Sequence, residues 1–101
     1  MPIFHIDMRH TPESCPMFNE EVKKKFKEAV VKRQEIAKKH EIKVLSAYTS
    51  IMGHLIFFVV EAPSQQTVEN YLMEVGFAFW NNAEIRQVIA VEDVVKKVTG
   101  E

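Results

Sequence analysis

One cysteine, three glycines and four prolines in 101 residues exclude several architectures at once. The single thiol, Cys15, cannot close an internal disulfide, so the fold rests on its own core, and such cysteine usage agrees with a reducing compartment. No apolar run approaches the roughly 20 residues that a membrane-spanning helix needs. Met1-Pro2-Ile3-Phe4-His5 has no basic region leading into an apolar one, so no signal peptide is expected and a cytoplasmic location follows by default. Neither sign of charge dominates: 13 basic against 14 acidic residues give a net charge of -1, which offers no electrostatic reason to expect nucleic acid. There is no linker, short repeat or low-complexity segment, and residues 1–101 read as one domain.

What is present is an ordinary globular composition, 47% hydrophobic and 27% charged, arranged in clear periods. His54-Leu55-Ile56-Phe57-Phe58-Val59-Val60-Glu61 is short, rich in β-branched and aromatic residues, and bounded by Gly53 and Pro63. It reads as a strand inside a sheet, buried on both faces. Ile3 to Arg9 alternates, with Phe4, Ile6 and Met8 on one side and Ile3, His5, Asp7 and Arg9 on the other. His10 to Pro16 is a loop. Asn19 caps a long helix whose stripe is Phe18, Val22, Phe26, Ala29, Val30, Ile36 and Ala37. Lys23, Lys24, Lys25 and Lys27 are its solvated face rather than a phosphate site, because Glu20, Glu21 and Glu28 dilute them.

Ile42 to Thr49 forms a second strand, with Val44, Ser46 and Tyr48 on one face. Ser64 caps a helix from Gln65 to about Val75, which Gly76 terminates. The cluster Phe77-Ala78-Phe79-Trp80 precedes an Asn81-Asn82 turn, a last strand from Ile85 to Val91 and a short helix from Glu92 to Val98. The order strand, helix, strand, strand, helix, strand predicts an α+β, ferredoxin-like βαββαβ domain with a four-stranded antiparallel sheet. The first and third strands are expected to be central, parallel neighbours. Two helices cover one sheet face; Ile3, Ile56, Phe58 and Val60 are expected on the other, where a second copy of the chain would cover them.

Parallel alignment would bring His54 to His5 and Asp7, which makes these three the candidate catalytic residues, with either histidine as base. Tyr48 would join them across a five-residue turn, or Thr49 across a four-residue one. Arg9 could pair with a ligand carboxylate or with Asp7. Phe58 and Trp80 are the expected walls of a binding cleft. No metal site is expected: His5, His10, Cys15, His40 and His54 show no C-x-x-C or H-x-x-x-H pairing, and what metal-binding potential there is rests on His5 with His54. Cys15 reads as an ordinary loop cysteine, since His10 is its only local activating group. An RNA-recognition surface is not expected, because adjacent Phe57 and Phe58 face opposite ways.

The run His10-Thr11-Pro12-Glu13-Ser14-Cys15-Pro16, with Gly53-His54 leading into Phe58-Val59-Val60-Glu61-Ala62, resembles small proteins of the dimeric α/β-barrel superfamily, in a subfamily without assigned chemistry. The resemblance implies a homodimer whose two sheets face each other around a cleft that binds a small organic molecule. If such a protein is an enzyme, its relatives imply isomerase- or oxygenase-like chemistry; the alternative is a non-catalytic ligand-binding or interaction module. Oxygenase and haem-degrading relatives use an Asn, a Trp and a His. Here Asp7 stands in place of the strand Asn and His54 lies on a strand, a departure that counts against oxygenase activity and haem ligation. The resemblance leaves the cofactor open.

Overall fold

The computed structural model describes residues 1–100: strand β1 (Ile3–Arg9), helix α1 (Glu20–Lys39), strands β2 (Lys43–Ser50) and β3 (Leu55–Glu61), helix α2 (Gln65–Val75), strand β4 (Asn82–Val88) and helix α3 (Val91–Thr99). Single 3-10 turns at Pro12–Ser14 and Phe77–Phe79 fill the loops after β1 and α2. The sheet order is β2-β3-β1-β4, with β1 and β3 central and every neighbouring pair antiparallel. The expected ferredoxin-like α+β fold is therefore present.

The expected parallel pairing of β1 with β3 is not. Each helical crossover makes its two strands parallel, so β1 runs with β2 and β3 with β4, while the tight connection between β2 and β3 reverses direction. β1 must then oppose β3, and Ile3 pairs with Glu61 while Arg9 pairs with Leu55.

Local chemistry accounts for the element ends. Asn19 Oδ1 accepts the Val22 N–H at 3.1 Å at the start of α1, and Ser64 Oγ accepts the Thr67 N–H at 3.2 Å at the start of α2. Gly76, at φ 103°, ends α2 in the left-handed region where a side chain would be strained. The 3-10 turn after it delivers the chain to β4 sooner than expected, so the strand starts at Asn82, which pairs with Arg9, and ends at Val88.

Phe4, Ile6, Met8, Ile56, Phe58 and Val60 all point to the helices and are buried against residues such as Ala29, Val68, Tyr71, Leu72 and Val75. β3 is thus not buried on both faces within one chain: Leu55, Phe57 and Val59 are only half-buried. The open face carries Ile3, His5, Asp7 and Arg9 together with Leu55, Phe57 and Val59, not Ile56, Phe58 and Val60. A bulge between Val44 and Ser46 shifts the register of β2, leaving Val44 beside Val60 and turning Tyr48 toward Phe57 on the open face. None of the residues of α3 is buried, although Val91, Val94, Val95 and Val98 repeat at helical spacing on one side. The molecule is accordingly long, with a radius of gyration of 15.1 Å against about 13 Å for a compact chain of this size. Among the described residues no helix is long and apolar enough to cross a membrane.

A polar clamp joins the two long helices: Lys39 Nζ donates to both carboxylate oxygens of Glu74 at 3.1 and 3.0 Å, and His40 Nε2 lies 3.0 Å from the first. Hydrogen bonds from Lys39 first, then His40, hold the Glu74 carboxyl below its ordinary 4.5. A depressed folded-state value adds stability above the unfolded value and loses it as pH falls through the folded one. Urea midpoints of Glu74→Gln and the parent chain should therefore differ at neutral pH and converge as pH falls below about 4.5. A gap that persists unchanged into acid would refute the clamp.

Candidate functional site

The register separates the residues expected to act together. His5 pairs with Val59, and His54 lies five residues before Val59 in the chain, about 17 Å away at strand rise. His5, Asp7 and His54 therefore do not converge. His5, Asp7, Arg9 and Tyr48 stay together on the open face around Phe57: the His5 and Phe57 rings stack at 5.9 Å and the Tyr48 ring lies 5.7 Å from Phe57. Arg9 donates from Nε and Nη2 to Asp7 Oδ2 at 3.3 and 3.2 Å, so these two charges satisfy each other. Thr49 turns away and donates to the Leu55 carbonyl at 2.9 Å. Phe58 and Trp80 are core residues on the helix side and cannot wall a cleft on the open face.

His54 instead joins the loop that follows β1. Antiparallel pairing places the end of β1 beside the start of β3, and the His10 N–H donates to the His54 carbonyl at 3.1 Å. The 3-10 turn at Pro12–Ser14 then folds the loop back and buries Cys15. Ligand atoms of His10, Cys15 and His54 lie within 4.8 Å of one another. His54 is held there at φ 53°, in the left-handed region, a conformation that costs a non-glycine residue on the order of 1 kcal/mol or more.

Asn81 sets the chemistry of His10. Its Nδ2 donates to the Phe77 carbonyl at 3.0 Å, which leaves Oδ1 facing His10 Nδ1, also at 3.0 Å. An amide oxygen only accepts, so Nδ1 carries the ring proton and Nε2 of the neutral ring presents a bare lone pair. Among the described residues, that buried Nε2 has no hydrogen-bond partner, and neither has the buried Nδ1 of His54. Trp80, whose ring lies 5.2 Å from His10, likewise keeps its Nε1–H buried, with no partner among the described residues. Orphaned polar atoms are uncommon inside proteins, since each costs about 1–3 kcal/mol unless something fills it.

A cavity of about 170 Å³ opens beside this group, with His10 and Cys15 at one end and Phe26, Thr49, Ile51 and Ile56 among its walls. A second space of about 140 Å³ shares Phe26, Thr49 and Ile56 with it and continues between α1 and the sheet to Arg33. The Arg33 guanidinium lies 5.7 Å from the Phe58 ring centroid and, among the described residues, forms no ion pair. Nearby, burial raises the Tyr71 hydroxyl above its ordinary 10.0, and the positive charge of Arg33 partly opposes this.

In sequence, Cys15 pairs only with His10, His54 is placed with His5, and Asn81 reads as a turn residue. The signal that could have joined them was topological: in a βαββαβ sheet the end of the first strand meets the start of the third, whatever their separation in the chain.

No family model and no curated protein matches the chain. Among solved structures it is similar to SCO4226 from Streptomyces coelicolor A3(2), at 14% identity and a TM-score of 0.55, covering 86% of this chain and 96% of that one. The likeness at this identity concerns the fold alone.

Proposed function

We propose that the protein is a cytoplasmic homodimer that binds a small ligand at the end of its sheet, in the groove that runs from His10 toward Arg33. The observation that carries this reading is the pair of orphaned ring nitrogens, His10 Nε2 and His54 Nδ1, buried beside a cavity with largely apolar walls. Arg33 at the far end, which forms no ion pair among the described residues, favours a ligand with an apolar body and an anionic group. This reading moves the ligand away from the centre of the sheet. The acid–base role expected of His5, Asp7 and His54 as one unit has no geometric support, and ligand binding without catalysis is the economical conclusion.

The dimer half of the reading rests on the open face and α3. Leu55, Phe57, Val59 and Tyr48 form an apolar patch, and Val91, Val95 and Val98 of α3 are exposed. Two charge pairs beside that patch are already neutralised, Asp7 with Arg9 at 3.2 Å and Glu84 with Arg86 at 2.8 Å, which lowers the repulsion when two such faces meet. His5, Asp7, Arg9 and Tyr48 would then line the space between two sheets.

Native mass spectrometry of protein purified without added ligand tests both halves. The expected result is a dimer carrying a reproducible adduct that is lost in Arg33→Ala or His10→Ala. A monomer would overturn the assembly, and an adduct indifferent to both substitutions would overturn the site.

A further inference from the structure

We infer that His10 Nε2, Cys15 Sγ and His54 Nδ1 bind one first-row transition-metal ion of the zinc or copper class. This inference rests on the sheet end being the ligand site and names the chemistry of its first occupant. The donor set is two imidazoles and one thiolate, which suits borderline and soft ions and is a poor match for magnesium or calcium. One ligand atom from each of the three residues lies within 4.8 Å of the others. Ligands on a common zinc, at about 2.0–2.3 Å from the ion, stand some 3.5 Å apart, so closure asks for side-chain rotations of about an ångström.

Two further features belong to a metal site more than to a dry packing arrangement. The first is the support of His10: ligating histidines ordinarily donate their second ring N–H to a fixed acceptor, which sets the tautomer, and Asn81 Oδ1 is that acceptor. Asn81 is itself held by the Phe77 carbonyl, so the His10 lone pair is aimed before any ion arrives. The second is the left-handed backbone of His54: its N–H donates to the Ile51 carbonyl and its carbonyl accepts from His10, yet the ring nitrogen that this conformation buries has no partner among the described residues.

Binding releases the Cys15 thiol proton to solvent as the sulfur–metal bond forms, with no change in oxidation state, so affinity rises with pH. Three protein donors leave the next coordination position open. The adjoining cavity is where a water or the anionic end of a second ligand would complete the sphere.

Cobalt(II) titration of the full chain, read by absorbance and competed with zinc, tests the inference. One equivalent per chain is expected, with a thiolate-to-cobalt charge-transfer band that zinc abolishes. Cys15→Ser should remove the band. His54→Gly suits the positive φ, so it should fold with an unchanged or higher Tm while weakening cobalt binding at least about 100-fold. Asn81→Ala should weaken it about 10- to 100-fold with the band retained, and Asn81→Asp, which still accepts from His10 Nδ1, should restore most of the loss. Absence of binding, or a band that survives Cys15→Ser, overturns the metal inference. An organic adduct that persists in such a metal-free protein and is lost in Arg33→Ala would leave the groove standing as a ligand site, so the two readings fail separately.

Discussion

Phe57→Glu is expected to turn the proposed dimer into a monomer without unfolding it. Phe57 lies at the middle of the open face, between the rings of His5 and Tyr48, on the alternation of β3 opposite the buried Ile56, Phe58 and Val60. A glutamate there remains solvated in the monomer but would be buried without a partner between two sheets, at a cost of about 3–5 kcal/mol. That corresponds to a dimer dissociation constant raised by about 100- to 1,000-fold or more. Sedimentation velocity over a range of concentrations reads the shift, and far-UV circular dichroism shows whether the fold is kept. A parent chain that sediments as a monomer throughout, or a variant that stays dimeric, would remove the open face as the interface.

Phe58→Ala is expected to do the reverse. One residue along the same strand, Phe58 points into the core, where it is 3% exposed, meets Phe77 edge-on at 5.6 Å and lies under the Arg33 guanidinium. Removing its ring takes away the burial energy and leaves a void that rigid neighbours only partly fill, a loss of about 3–5 kcal/mol. Total stability for a domain this size is about 5–15 kcal/mol, so the Tm should fall by more than about 12 °C. Thermal unfolding measures it. A drop of only a few degrees would mean that the core relaxes around the gap, and equal effects of the two substitutions would contradict the alternation of β3 itself.

This pair also shows where sequence reading succeeds. The period of two in β1, the Asn19 and Ser64 caps and the Gly76 terminator are local features, each set by the stereochemistry of a few neighbouring residues, and all are found in the structure. Element order then selects the ferredoxin-like sheet, because few topologies accept two helical crossovers on one face. Which alternation of β3 faces the helices was not legible, since Leu55, Phe57 and Val59 are as apolar as Ile56, Phe58 and Val60. Apolar character alone does not distinguish a core face from a face left for a partner.

Tertiary structure alone decided the site. His10, Cys15, His54 and Asn81 span 71 positions from first to last, and no spacing rule joins them. Three conditions have to hold together: β1 opposes β3, the prolines of the intervening loop fold it back so that Cys15 is buried, and the early start of β4 brings Asn81 beside His10. The residues' chemistry is written in the chain. Their convergence is a property of strand direction, which the whole sheet sets at once and no local segment encodes.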